Sequence, residues 1–253
     1  MSVIYERKKG RDNAVRCFLT FNCDSGCPYC SLFVPFLSLE RKKVHIPPDV
    51  WAEGINRRNR PVILTGGEPL LYPELTDLVR LVTTRSIDIH TNLQHSVDGF
   101  LKDDIRRVNF LVSLHQAGSI EEWLDRARAL IKAKHRLRGH VVKYGSDWQE
   151  RASAARALGI HIVSCDDQSR AKLPQYPRVL CRSGRYHYGP DGFRYVCTTL
   201  MGIGSSAGRL EHISQDDGPE YNEIECNLFG NCTACDIYTE KRVTIIEEDR
   251  GWE

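Results

Sequence analysis

No run of the 253 residues is apolar over enough positions to cross a membrane or to act as a signal peptide, and residues 6–9 near the start are charged instead. The chain also lacks a dominant charge. Lys and Arg number 35 against 33 Asp and Glu, so the formal net charge is only +2, with the two signs interspersed. Without a basic stripe there is no electrostatic footprint for nucleic acid. With 41% hydrophobic and 27% charged residues the composition is that of an ordinary globular protein. The expectation is a soluble cytoplasmic protein with neither a membrane nor a nucleic-acid partner. In that reducing compartment ten cysteines point to metal ligands rather than disulfides. Eight of them fall in two groups, three near the front and five from Cys181 onward.

The front group is Cys23, Cys27 and Cys30, spaced C-x3-C-x2-C directly after a strand-like run over 14–21. Three thiolates this close can wrap one corner of an iron–sulfur cluster. A [4Fe–4S] cube takes one thiolate per iron, so three ligands leave one iron open to a group that is not protein. Zinc is the other chemistry available to clustered thiolates, but a structural zinc wants a fourth protein ligand, and no further Cys or His sits beside these three in sequence. A second motif, Thr65-Gly66-Gly67-Glu68-Pro69, follows another strand-like run over 61–64. Gly-Gly after a strand is, taken alone, a turn.

Together, C-x3-C-x2-C with Tyr29 before its last cysteine and the Gly-Gly-Glu-Pro sequence downstream resemble the two signatures of the radical S-adenosylmethionine (SAM) superfamily. The resemblance spans about 15–167. It implies that Cys23, Cys27 and Cys30 ligate a [4Fe–4S] cluster whose open iron takes SAM. It also implies that Gly66, Gly67, Glu68 and Pro69 cradle the methionine end, with the glycines allowing close backbone approach and Glu68 pairing with the ammonium. Tyr29 would lie near the adenine. Thr91, Asn92 and Ser113, at later strand ends, are further candidates for SAM contacts. As alternatives, Thr91-Asn92 is a plain turn and Ser113 bonds only to backbone.

The order of elements suits this family. Strands are expected over 14–21, 61–64, 87–91, 109–114, 140–144 and 160–164, with Cys17 a small buried thiol in the first. Helices are expected over 48–58, from Pro73 onward with Leu75, Leu78, Val79 and Val82 on one face, from Ser119, and from Asp147 to Leu158 with Gly159 as the stop. Ser119 with Glu122, and Asp147 with Glu150, read as capping boxes. Trp123, Leu124, Ala127, Leu130 and Ile131 form the apolar face of the third helix. Strand–helix repeated six times demands parallel pairing. Six units are too few for a closed eight-unit barrel, so the expected fold is α/β, a partial (β/α)6 TIM-like barrel over 14–170. Residues 1–13 read as a loosely packed arm, and 171–178, with Pro174 and Pro177, as a linker.

Residues 171–253 form the expected small Cys-rich domain. Strand-like arms at 185–188 and 193–196 flank a Gly-Pro-Asp-Gly turn and read as a β-hairpin. Cys181, Gly192 and Cys197 stand in C-x10-G-x4-C, followed by Cys226, Cys232 and Cys235 in C-x5-C-x2-C. This arrangement resembles the auxiliary-cluster extension called SPASM, or its shortened Twitch form. Five cysteines are too few for two full clusters. The Twitch form with one auxiliary [4Fe–4S] is therefore implied, held by Cys181, Cys197, Cys232 and Cys235, with Cys226 spare or replacing one of them. A structural zinc on the same thiolates is the competing reading.

What the family resemblance implies chemically is reductive cleavage of SAM to a 5′-deoxyadenosyl radical, which abstracts hydrogen from a substrate. The electron comes from an external flavodoxin- or ferredoxin-like donor. A protein-ligated second cluster suits electron removal, hence net oxidation of the substrate. A redox-neutral outcome needs a hydrogen donor, for which Cys165 is the candidate, and His115 is a candidate base or substrate contact; both are alternatively inert buried groups. With 22 residues before Cys23, a preceding peptide-recognition domain is not expected, which favours a small polar biosynthetic substrate such as a sugar, aminocyclitol or nucleoside. Peptide crosslinking or epimerisation is the alternative within enzymes. A non-catalytic metal-cluster scaffold or sensor is the alternative outside them.

Overall fold

The structure is a computed structural model and describes residues 3–6, 14–30, 43–115, 118–166, 178–183, 186–218, 222–227 and 241–247. The arm at 7–13, the linker at 171–177 and two expected ligands, Cys232 and Cys235, lie outside the described residues. Among the described residues no helix is long and apolar enough to cross a membrane.

Six strands pair side by side in chain order, each parallel to the next: β2 (Val15–Thr20), β3 (Val62–Gly66), β4 (Ile87–Thr91), β5 (Asn109–Leu114), β6 (Arg136–Val142) and β7 (His161–Cys165). β7 is an edge of the sheet, so the barrel stays open. This is the expected mixed α/β fold with a partial TIM-like barrel. Helices α1 (Pro48–Arg58), α2 (Leu75–Leu81), α3 (Ile120–Lys132) and α4 (Trp148–Ala157) form the crossovers.

Side-chain alternation along the strands separates two environments. Val15, Cys17 and Leu19 of β2, Val62 and Leu64 of β3, Ile89 of β4 and Phe110 and Val112 of β5 point outward. There they form one core with Trp51 and Ile55 of α1, Leu78 of α2 and Trp123 and Leu130 of α3. The intervening residues face the lumen, and parallel register sets them shoulder to shoulder: Ile63 beside Asp88, His90 beside Leu111, Leu111 beside Arg138, Ser113 beside His140. Cys17 is fully buried, as expected of a small inert thiol, and burial drives its pKa far up.

Several boundaries differ from the sequence reading. The crossover from β4 to β5 holds a short 3-10 turn, Asp98–Phe100, instead of a helix. Residues 92–108 carry Asp98, Gly99, Asp103 and Asp104 and have no helical apolar stripe to bury. The fifth barrel strand runs over Arg136–Val142 rather than 140–144, which moves His140 from a strand start to mid-strand. α2 begins at Leu75, past Pro73. Only half of the first capping box forms. Ser119 Oγ accepts from Glu122 N at 3.3 Å, while the Glu122 carboxylate turns to Arg126 at 2.8 Å. Asp147 makes no cap bond and accepts instead from Arg151 Nε at 2.6 Å. Ile131, expected on the buried face of α3, is 40% exposed. Gly159, with φ +79°, ends α4 in the left-handed region as expected.

The C-terminal part divides between two sheets. β9 (Tyr186–Tyr188) and β10 (Phe193–Tyr195) form the expected hairpin, but it is not separate from the barrel. β9 pairs parallel to β2, and β11 (Arg209–His212) follows β10, which extends the barrel sheet to nine strands. Short helix α5 (Thr198–Ile203) follows β10. A second, antiparallel sheet has the order β1 (Val3–Glu6), β13 (Lys241–Glu247), β8 (Arg178–Ser183), β12 (Asn222–Cys226). Arg58 at the end of α1 ties the segment after β11 down. Its buried guanidinium donates to Ile213 O at 2.8 Å and Gln215 O at 3.0 Å and pairs with Asp217 at 2.7 Å.

Candidate active site at the carboxyl ends of the barrel strands

The two motifs meet through backbone. Gly67 N donates to Thr20 O and Glu68 N to Asn22 O, both at 2.8 Å, so the turn after β3 is stitched to the start of the cysteine loop after β2. A Cβ on Gly66 would stand 2.3 Å from Thr20 O, and one on Gly67 2.3 Å from Asn22 O. The missing side chains thus make room for the cysteine loop itself. That is a second role for them, beside the close approach to methionine expected from the family resemblance.

Glu68 extends the stitching to a third strand end. Its carboxylate is fully buried. Oε1 accepts from Thr91 Oγ1 at 2.6 Å and Leu70 N at 2.9 Å, and Oε2 accepts from Asn92 N at 2.7 Å. Burial nevertheless raises its pKa to about 7, against the lowering effect of those donors and of His95. Asn92 then reaches back: its Nδ2 donates to Ser25 Oγ at 2.6 Å, and Asp24 pairs with His95 at 3.1 Å. Glu68, Thr91 and Asn92, singled out separately in sequence, are therefore one network. Pro69, also buried, opens the 3-10 turn Pro69–Leu71 that Glu68 caps. Asp24, Ser25 and His95 were missed. The first two lie inside the cysteine motif, and only their hydrogen bonds reveal them.

Cys23, Cys27 and Cys30 sit half-buried on that loop. Burial raises the thiol pKa of Cys23, and that of Cys27 to about 11, and neighbouring cysteines push the same way in both. Three thiols that feel one another at a strand end form a soft donor set suited to iron–sulfur ligation. Among the described residues no three His, Cys, Asp or Glu converge as ligands of a single ion do. A cube presents its irons at separate corners and asks for no such convergence. The donor set fits a cluster on these grounds.

Above the lumen, Tyr29 OH lies 3.0 Å from His115 Nδ1, with Tyr144 packed against the Tyr29 ring at 5.1 Å between centroids. Burial, with His140 nearby, lowers the His115 pKa to about 4, so its ring is neutral. Ser113 bonds to a side chain rather than to backbone: its Oγ lies 3.1 Å from His140 Nε2. Sequence pattern does not single out His140, because the expected strand begins at that residue whereas the strand in the structure begins at Arg136. Cys165 ends β7 beside Val142 in register, its Sγ donating to Val141 O at 3.5 Å, and burial raises its pKa, keeping it a thiol.

Of the C-terminal cysteines, Cys181 lies buried on β8 and Cys226 on neighbouring β12. Cys181 pairs with Ile224 and Cys226 with Val179, two positions along, which puts both thiols on one face of the antiparallel sheet as diagonal neighbours. Cys197 caps α5, its Sγ accepting from Leu200 N at 3.5 Å. The cysteine loop approaches this extension through an apolar cluster of Phe18, Phe21, Tyr195 and Met201, against which Cys23 and Cys30 pack.

No protein-family model and no curated protein sequence matches the chain. Solved structures do. Native anSMEcpe with bound AdoMet aligns over 80% of this chain and 78% of that one, at 12% identity and a TM-score of 0.59. Native anSMEcpe with bound AdoMet and the Kp18Cys peptide aligns over the same shares at 10% identity and 0.58. Streptococcus suis SuiB bound to the precursor peptide SuiA aligns over 60% of this chain but only 39% of its own, at 16% identity and 0.46. By its open parallel barrel, and by the alignment over four fifths of its length, the chain has the fold of anSMEcpe.

Proposed function

We propose that this chain is a radical SAM enzyme that cleaves SAM reductively and abstracts a hydrogen atom from a substrate held at the carboxyl end of the barrel. The observation that carries the reading is the network joining the cysteine loop, the Gly-Gly-Glu turn and Thr91-Asn92 through Glu68. A loop that only held a structural metal has no need of a buried carboxylate linking two further strand ends, which argues against a scaffold or sensor. When bound, a [4Fe–4S] cluster on Cys23, Cys27 and Cys30, with SAM, supplies the electron and the 5′-deoxyadenosyl radical.

The chain's own residues position and protect. The hydrogen-bonded ends of β2, β3 and β4 hold the thiols in place before loading, so little ordering remains to be done on binding. A cationic group beside Glu68, as the SAM ammonium would be, favours its ionised form. His115, neutral and tied to Tyr29, serves as a hydrogen-bonding contact at neutral pH rather than as a strong base. Ser113 and His140 give the next lumen layer a polar character suited to a hydroxyl-bearing substrate. Cys181, Cys197, Cys232 and Cys235, with Cys226 as the alternative ligand, are assigned to an auxiliary [4Fe–4S] cluster that takes up an electron, giving net oxidation of a small polar substrate. A flavodoxin- or ferredoxin-like protein is the assigned electron donor.

A second reading, peptide modification, is favoured by the anSMEcpe structure that holds a peptide beside AdoMet. In a redox-neutral version Cys165, held as a thiol, would give its own hydrogen atom to the substrate radical, and the thiyl radical left behind would be restored by one electron from the proposed external donor and one proton from solvent.

The test is anaerobic reconstitution with iron and sulfide, followed by SAM and dithionite. Formation of 5′-deoxyadenosine, lost in Cys30→Ala, is expected. An iron-loaded protein that forms none sinks the reading. Once a substrate is found, a product lighter by two hydrogen atoms marks oxidation. A product of unchanged mass in H2O that becomes one mass unit heavier in D2O marks the Cys165 route.

A further inference from the structure

The end of the barrel away from the cysteine loop has chemistry that the proposed reaction does not use. A cavity of about 330 Å3 opens there, lined by Arg16, Ser86, Asp88, His90, Leu111 and Arg138 among others. Arg16 and Asp88 are each the second residue of their strand, and Leu111 and Arg138 the third, so the cavity lies at the amino ends of the strands. Its volume is at the lower end of the range for small-molecule pockets, roughly 300–1,000 Å3.

The charges lining it do not cancel. Asp88 is fully engaged: Oδ2 accepts from Arg138 Nη2 at 2.8 Å and Oδ1 from Asn109 Nδ2 at 2.7 Å. Arg16 is partly buried and, among the described residues, has neither a hydrogen-bond nor an ion-pair partner. His90 also makes no hydrogen bond among them. Its ring is neutral, because burial and the nearby Arg16, His140 and Arg138 all disfavour a second positive charge. The cavity therefore holds one uncompensated guanidinium, a paired guanidinium, a neutral imidazole able to donate or accept, and an apolar wall of Ile63 and Leu111. A partly buried guanidinium with its fork of donors unused matches a planar or tetrahedral oxyanion.

We propose that this cavity is a binding site for a small organic anion, its carboxylate or phosphate-ester group held by Arg16 and His90 and its carbon portion against Ile63 and Leu111. The site is independent of the SAM chemistry proposed above and stands or falls without it.

The test uses the full chain, with histidine ring signals followed by NMR in chloride buffer at constant ionic strength. Inorganic phosphate and propionate serve as separate probes. One or both should shift the His90 signals saturably while leaving exposed His161 unmoved, and which probe binds tighter identifies the headgroup. Arg16→Gln should weaken binding at least tenfold. Ser86→Asp, which supplies an internal carboxylate at the cavity wall, should do the same even if the Arg16 variant folds poorly. The proposal is overturned if neither probe moves His90, if chloride competes equally with both, or if folded Ser86→Asp binds as wild type does.

Discussion

Replacing Glu68 with Gln tests how the fold treats its central carboxylate. Burial raises the pKa from the ordinary 4.5 to about 7 although three donors point at its oxygens. At about 1.4 kcal/mol per pH unit this amounts to roughly 3 kcal/mol. The sign follows from proton counting: between those two values the folded chain holds a proton that the unfolded chain has released. The contribution is therefore fully present below pH 4.5 and lost as pH rises through 7. His90, His115 and His140 act oppositely. Their pKa values are lowered, so their contribution is present above 6.5 and lost as pH falls below it. The raw pH–stability curve mixes both trends, and the difference between wild type and Glu68→Gln isolates the first. The amide must turn an N–H group toward Asn92 N, or toward Leu70 N and Thr91, so at about pH 5 the variant should be less stable by about 1–3 kcal/mol. That deficit should shrink or reverse by about pH 8, the total change approaching 3 kcal/mol. Urea unfolding of the reduced, metal-free chain, followed by circular dichroism, measures it. A deficit that stays constant across the range would show that Glu68 titrates as an ordinary surface carboxylate, and the buried network as drawn would be wrong.

Three further outcomes are expected. Gly67→Ala places a Cβ 2.3 Å from Asn22 O and must displace the cysteine loop, so iron bound per chain after reconstitution should fall well below wild type while far-UV dichroism is kept. Tyr29→Phe removes the 3.0 Å bond to His115 and should lower the stability of the metal-free chain by about 1 kcal/mol, read by urea unfolding. Arg58→Met removes the buried guanidinium that holds Ile213, Gln215 and Asp217, leaving the Asp217 carboxylate only the longer 3.9 Å contact with Arg60. A loss of about 3 kcal/mol or more is expected, together with faster proteolytic cleavage after β11 than elsewhere.

What could be read from the sequence was what depends on neighbours in the chain. The alternation of β4 and β5, the Ser119 cap and the Gly159 stop are local signals, and each lies where expected. The cysteine spacing likewise placed Cys23, Cys27 and Cys30 on one loop. What escaped depends on contacts across the fold. Arg136 to Gly139 is hard to read as a strand, because it holds two arginines and a glycine and only one strand-like apolar residue, Leu137, although polar and non-polar positions do alternate. The open lumen tolerates the arginines, and Arg138 pairs with Asp88 fifty positions away. The roles of Gly66 and Gly67 depend on which backbone lies opposite, which no spacing encodes. The hairpin was legible, but its parallel pairing with β2 was not, since nothing in residues 186–188 names a partner.

That pairing bears on why the two cysteine groups belong to one chain. A hairpin carried on a separate domain could place Cys197 anywhere the linker allowed. Here β9 continues the sheet beside β2, the strand that delivers Cys23, and β10 leads directly into Cys197 at the cap of α5. Tyr195 and Met201, flanking Cys197 in sequence, pack with Phe18 and Phe21 of the β2 segment, and Cys23 and Cys30 rest against the same cluster. Buried apolar side chains of this kind resist displacement, since truncating one typically costs 2–5 kcal/mol. The distance between the loop of the first group and Cys197 is thus held by sheet register and by packing together. For electron transfer between two clusters a fixed, short separation is the property that matters, and for a zinc site that merely stabilised a distant appendage it would be superfluous. The auxiliary cluster proposed above would inherit through Cys197 a placement fixed by the shared sheet and the apolar cluster.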